Sequence, residues 1–297
     1  MQKPVHSEWS GRTDGTPFMQ KALIVLFKVV PLEVAYGVMA LVVPFYMLFN
    51  HKGYTAMYHF FRRRLGKGPL NSFVHVYLNH YAFGQVVLDR FATYANRRFQ
   101  IEVDGNENFR SLNEAEGSFM MLSSHVGNYE QAGYALTSDR KQFYALVYGG
   151  ESATVMKERS KQFEGSNIHM IPVKGDMSHL FILNKALDDG DIVSMPADRC
   201  YGSGKSVKCR FFGAEARFPL GPFVTAVQKE VPVLAVAVMK VGRRKYTAYV
   251  RPLNTDRTLP RKEQTAALAQ SFASTLEEIV RRHPHQWYNY YEFWNGE

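Results

Sequence analysis

The stretch SSHVGNYE, residues 123–130, gathers a histidine, a glycine, an asparagine and a carboxylate into one short segment. It follows the apolar run Phe119-Met120-Met121-Leu122 and precedes the helix-prone AGYAL. His125 and Glu130 are five residues apart, and on a continuous helix that spacing would separate them by about 140°. If a strand instead ends near Ser123, Gly127 permits a tight turn and Asn128 caps a helix starting at Tyr129. His125 then lies in the loop and Glu130 in the first helical turn, where the carboxylate can come under the imidazole. A carboxylate accepting from one ring nitrogen fixes the tautomer and stabilises the imidazolium, leaving the other nitrogen to take a proton. Such a dyad suits a general base acting on an acceptor hydroxyl or amine. The spacing equally fits a satisfied loop histidine beside a first-turn acid favoured by the helix dipole.

Four blocks carry a resemblance. HVGNYE resembles the H-x-x-x-x-D/E signature of the lysophospholipid and glycerolipid acyltransferases, and more closely the H-F-G-N-W-E form of the lipid A late acyltransferase family, the lauroyl and myristoyl transferases. Residues 189–221, DGDIVSMPADRCYGSGKSVKCRFFGAEARFPLG, are similar to that family's G-x-x-V/I…D-Q/H/R…G…V…F-F-G…G block. The closing HPHQWYNYYEFW is similar to its H-P-E-Q-W…W ending, and the apolar N-terminal segment is also characteristic. The resemblance covers nearly the whole chain in order. It departs at Tyr129, where Trp is usual, at Arg199, where Gln or His is frequent, and at the Tyr-Glu near the end, where basic residues often stand. The last two departures bear on the acceptor more than on the reaction.

The resemblance implies an acyltransferase in which His125 deprotonates an acceptor hydroxyl, with Glu130 as its orienting partner. The hydroxyl then attacks the thioester of an acyl carrier protein or coenzyme A. The implied acceptor is a lipid A precursor or another lysolipid; no acyl-enzyme, metal or redox cofactor is required. Backbone amides of the Gly127–Asn128 turn would face the tetrahedral oxyanion. Arg159 occupies the position of a family arginine near the polar mouth of the site, where a guanidinium could grip a phosphate. A solvated arginine on the outer face of a charged helix fits the same residues. Asp198 and Arg199 follow the strand-like IVSMP and should emerge from its C-terminal end into the cleft of an α/β sheet. There they would bind substrate or form a structural ion pair.

The elements that must hold these residues in place follow from the rest of the pattern. From residue 99, the runs FQIEV, FMMLS, FYALVY, IHMIPV, DIVSM, KCRFF, VLAVAVM and YTAYV alternate with helical stretches near 129–137, 151–163, 176–188 and 219–229. This predicts an α/β, glycerolipid-acyltransferase-like body over residues 99–297, with a mostly buried central sheet flanked by helices. A last helix over 261–282 is bounded by Pro260 and Pro284. FFGAEARFPLG is expected to form a turn and line an apolar pocket, with Phe211 and Phe212 alternating across a strand. GSGK, residues 202–205, lacks the spacing of a nucleotide-binding loop. The aromatic ending, Trp287 to Trp294, suits either a membrane interface or a lid packed on the body.

Residues 1–98 are expected to form a polar arm and a helical, membrane-associating extension. Residues 19–49 are the most apolar part, the last sixteen of them uncharged, slightly short of the roughly 20 apolar residues a spanning helix needs. Pro31 and Pro44 would kink or divide the segment. The following cluster of Arg62, Arg63, Arg64, Lys52 and Lys67 suits an anionic leaflet, although a buried pair of core helices has the same composition. With the family resemblance this implies the cytoplasmic face of a bacterial inner membrane, through a single N-terminal anchor or a monotopic attachment. The N-terminal residues do not have the pattern of a secretory signal. The chain of 297 residues, 46% hydrophobic and 21% charged, is globular, which excludes disorder of the whole. Its 36 Lys and Arg against 27 Asp and Glu give +9, a balance favouring an anionic membrane, an acidic protein or nucleic acid; no nucleic-acid motif accompanies the charge. Cys200 and Cys209 signal neither a zinc site nor a disulfide framework.

Overall fold

A computed structural model describes residues 16–49, 51–148, 153–200 and 205–294. Most of the expected polar arm, and residues 202–204 of GSGK, lie outside the described residues. Helix α1 (Pro17–Val29) begins with Thr16, whose hydroxyl accepts from the amide of Met19. It stops before Pro31, and α2 (Leu32–Phe49) continues through Pro44. Pro31 therefore divides the apolar segment and Pro44 does not. Next come α3 (His51–His59), a π-helical turn (Phe60–Arg64) and the long α4 (Pro69–Tyr94).

The body runs β1 (Gln100–Asp104), α5 (Asn106–Glu114), β2 (Phe119–Ser123), a 3-10 turn (Tyr129–Gln131), α6 (Ala132–Ala135), β3 (Phe143–Val147), α7 (Ala153–Gln162), β4 (Ile168–Pro172), α8 (Ser178–Asp188) and β5 (Ile192–Pro196). It continues with β6 (Ser206–Phe211), β7 (Ala214–Pro219), α9 (Leu220–Lys229), β8 (Val233–Gly242), β9 (Lys245–Leu253), α10 (Arg261–Arg282) and a 3-10 turn (Pro284–Gln286). All eight expected strands form. β7 and α5 were not anticipated, and the helix expected over 129–137 is reduced to a 3-10 turn and the single turn of α6.

The seven-stranded sheet has the order β1-β9-β8-β2-β5-β3-β4. Only the β8–β9 pair is antiparallel; the other neighbours are parallel. Near-continuous apolar runs such as FMMLS and VLAVAVM are required because helices cover both faces of a parallel sheet, and all seven residues of VLAVAVM are buried. β6 and β7 form a separate hairpin. At its tip Phe212 adopts a left-handed backbone (φ 49°) beside Gly213 (φ 79°). Phe211 and Phe212 are both buried in one aromatic cluster rather than alternating across a strand. Trp287 joins that cluster, its ring centroid 4.8 Å from Phe60 and 5.7 Å from Phe211. With Trp287 at 1% exposure and Tyr288 and Phe293 also buried, the aromatic ending packs on the body as a lid.

Helix α2 buries Leu32, Tyr36, Val43 and Met47 and exposes Val34, Val38, Leu41, Phe45 and Leu48. These are opposite stripes of one helix. It is long and apolar enough to cross a membrane by length and composition, and only 22% of it is buried. The reading as a buried core helix therefore fails for α2. Its buried face rests on α4: Tyr77 donates to the carbonyl of Ala40 at 3.0 Å, and the Tyr36 hydroxyl donates to the buried carboxylate of Asp89.

Candidate active site

The register of two central strands brings the first pair of site residues together. β2 and β5 run parallel with Ser123 opposite Pro196, and the amide of Ala197 extends the ladder by donating to Ser123 O at 2.9 Å. His125 and Asp198 each lie two residues beyond that final pair, outside the carboxyl ends of adjacent strands, where open α/β sheets place ligands. Asp198 lies just past the carboxyl end of β5, buried against His125. Its Oδ1 lies 2.8 Å from His125 Nδ1, while its Oδ2 accepts the His125 backbone amide at 2.8 Å. One carboxylate thus orients both ring and main chain.

Asp198 is 1% exposed, whereas the imidazole keeps 25% of its exposure. Burial alone would raise the Asp198 pKa, but His125 and then Arg199 outweigh it and hold the carboxyl below its ordinary range. An ionised carboxylate on Nδ1 requires that nitrogen to carry the proton, so Nε2 is the basic one. The Tyr129 ring stands edge-on to the imidazole, with centroids 6.2 Å apart.

Glu130 is placed differently from the expectation. Its Oε1 accepts the Tyr94 hydroxyl at 2.7 Å, and its Oε2 accepts Nη2 of Arg159 at 3.1 Å. Arg90 Nε forms an ion pair with Oε2 at 2.9 Å without the alignment of a hydrogen bond. Burial would raise the Glu130 pKa, but Arg159 and Arg90, helped by the Tyr94 hydroxyl, hold it low. The position against Nδ1 belongs to Asp198, because Glu130 turns toward α4 and α7 instead. Arg159 is correspondingly 3% exposed, neither at a polar mouth nor on a solvated helix face.

Gly127 and Asn128 also correct the expectation. The Gly127 amide donates to Gln286 O at 2.8 Å and the Asn128 amide to Val238 O at 2.7 Å. Both are therefore committed inside the fold rather than presented to an oxyanion. Gly127 is needed for close approach: its φ is +53°, and a Cβ would fall 2.0 Å from Val238 O. Asn128 stands before the 3-10 turn without capping it, and its side-chain amide reaches the Tyr246 hydroxyl at 3.4 Å. Arg199 donates through Nη2 to Tyr288 O at 2.6 Å, tying the Asp198 loop to the C-terminal segment.

Sequence reasoning missed Arg90 and Tyr94. They are four apart on α4, a spacing that puts both on one helical face; that was the available signal.

A family model described as bacterial lipid A biosynthesis acyltransferase matches residues 78–294. That range contains every residue of both carboxylate sites. The solved structure of the 1-acyl-sn-glycerophosphate (LPA) acyltransferase PlsC from Thermotoga maritima is 13% identical, covering 90% of this chain and 98% of its own, with a TM-score of 0.39. At that distance it has no bearing on the site. Curated proteins gave no match.

Proposed function

Since the chain belongs to the bacterial lipid A biosynthesis acyltransferase family and is an acyltransferase acting on lipid substrates, we propose that His125 is its general base and Asp198 the carboxylate that orients it. The observation carrying this reading is the 2.8 Å contact between His125 Nδ1 and Asp198 at the open end of two central parallel strands. Nε2 takes the proton of an acceptor hydroxyl as its oxygen attacks the thioester carbonyl carbon. The tetrahedral intermediate collapses with cleavage of the C–S bond, and the imidazolium returns its proton to the departing thiolate. The buried Asp198 stabilises the imidazolium between these steps. A positioned base contributes about 10²- to 10⁴-fold, and holding thioester and hydroxyl in contact supplies much of the rest.

The donor is an acyl carrier protein or coenzyme A thioester, and the +9 charge suits the anionic character of either. The acceptor is a lipid A precursor or another lysolipid. Glu130, with Arg90 and Arg159, holds α4 and α7 against the catalytic loop. The apolar stripe of α2 lies in an anionic membrane surface rather than spanning it, supported by the ties of Tyr36 and Ala40 to α4.

The test is mass spectrometry of lipids after incubating the membrane-bound protein with carrier and coenzyme A thioesters and a panel of lysolipid acceptors. Wild type should add one acyl mass to an acceptor and His125→Ala none. Transfer by both proteins would remove His125 from the chemistry. No transfer by wild type with any pairing would favour a lipid- or carrier-binding protein on this scaffold.

A further inference from the structure

Strand β8 outruns its neighbour. Its pairing with β2 covers only Val233–Ala235, and β8 continues to Gly242. Beyond Ala235 its backbone groups on that side need other partners, because an open strand edge leaves donors and acceptors unsatisfied. Two segments far apart in sequence supply them. The loop after His125 contributes the Gly127–Val238 bridge and the Asn128 amide. The C-terminal segment contributes the side chain of Gln286, whose Oε1 accepts the Lys240 amide and whose Nε2 donates to Lys240 O, both at 2.8 Å. One side-chain amide therefore does for Lys240 what a neighbouring strand would do.

The same segment grips the histidine loop directly. Val126 and Trp287 form an antiparallel bridge, Gln286 O receives the Gly127 amide, and Tyr288 N donates to His125 O at 3.2 Å. With Asp198 on the His125 amide, both backbone polar groups of the histidine are fixed. From the other side, buried Asn79 on α4 donates through Nδ2 to the carbonyls of His285 and Trp287 at 3.0 and 2.8 Å. Its Oδ1 finds no hydrogen-bond partner among the described residues, so its contribution is this double donation.

We propose that residues 285–288 are a strap that sets the position of His125 for acyl transfer, and that Gln286 and Asn79 are positioning residues for the reaction. The inference rests on His125 being the base. Neither side chain meets substrate; each acts through the main chain of the loop. A small displacement of the imidazole matters because a misplacement of about 1 Å is worth about 10²-fold in rate.

The experiment uses the full chain in its membrane-bound form. Gln286→Met keeps the bulk and removes both bonds to Lys240; Asn79→Ala removes the support on the opposite side. Each variant is followed by hydrogen exchange of residues 123–131, with β5 as an internal reference, and by kcat and KM for donor and acceptor. The expected result is faster exchange at residues 126–128, unchanged exchange in β5, and a kcat lower by about 10- to 100-fold with both KM values held within about twofold. Unchanged exchange in the loop overturns the strap, as does exchange accelerated equally in β5, which is general destabilisation. Unchanged kcat despite a loosened loop overturns the positioning role. If wild type transfers no acyl group, the reaction assigned to His125 fails by itself, and the exchange data alone decide whether the strap exists. If Gln286→Met does not fold, Asn79→Ala carries the same readouts.

Discussion

Asp198 and Glu130 are both buried carboxylates held below their ordinary pKa, yet they have different neighbours. Asp198 faces an imidazole that remains a quarter exposed, whereas Glu130 faces two guanidiniums and a phenol with almost no solvent. Burial and a depressed pKa are thus common to both and assign a role to neither. Under the proposed function the partner decides: a carboxylate on an accessible base tunes a proton transfer, while one shared by buried Arg159 and half-buried Arg90 holds elements together. The nearness of Glu130 to His125 in sequence points to the wrong member of this pair for orienting the ring.

Removing each charge separately would break or sharpen that contrast. Asp198→Asn should lower kcat by about 10²- to 10⁴-fold with a modest change in the unfolding midpoint, because the ring loses the acceptor that sets its tautomer. Glu130→Gln should show the opposite profile. It leaves the buried Arg159 and the half-buried Arg90 without their counter-charge, and breaking a buried pair costs about 3–5 kcal/mol. Urea unfolding should detect that loss, with near-normal turnover in whatever fraction stays folded. A Glu130→Gln protein of unchanged stability and abolished turnover would reverse the assignment. Gly127→Ala falls between them: a left-handed backbone costs a residue with a Cβ about 1–2 kcal/mol, and contact with Val238 O would push the loop away. Its expected signature is a kcat lower by about an order of magnitude or more, together with weakened stability.

What could be read from the sequence was whatever depends on neighbours in the chain. Apolar runs located the eight strands, and Pro260 with Pro284 bounded α10. The position of Asp198 at the carboxyl end of β5 is legible because a residue just after a buried parallel strand lies at that end. Its pairing with His125 needed the register of β2 on β5, which no local pattern contains. The same holds for the strap: Gln286 matters only because β8 is longer than β2. Of the hairpin, the sequence shows β6 and a turn but not β7, because the turn puts Phe212, a residue without glycine's freedom, at positive φ. The helix expected from Tyr129 was too long because the Asn128 side chain turns to Tyr246 instead of capping it.

The smallest effect separates the two carboxylate regions from the strap by pH. His285 lies within hydrogen-bonding distance of His75, Nε2 to Nδ1 at 2.6 Å, and burial, then His75 and Lys67, push its pKa down to about 4 from an ordinary 6.5. A histidine kept neutral in the fold takes up its proton more readily when unfolded. Its contribution to stability is therefore complete above pH 6.5, declines as pH falls toward about 4, and changes no further below that. Asp198 and Glu130 have folded pKa values below their ordinary 3.8 and 4.5, so their contributions are complete above about pH 5 and are lost as pH falls below those ordinary values, which leaves the upper part of the histidine window to the histidines. Between pH 6.5 and 4 the urea midpoint should thus fall in wild type and fall less in His285→Gln. A residual slope is expected from His75, His80 and His283, whose pKa values are also lowered by burial. An identical slope in the variant would mean that the fold does not keep His285 neutral.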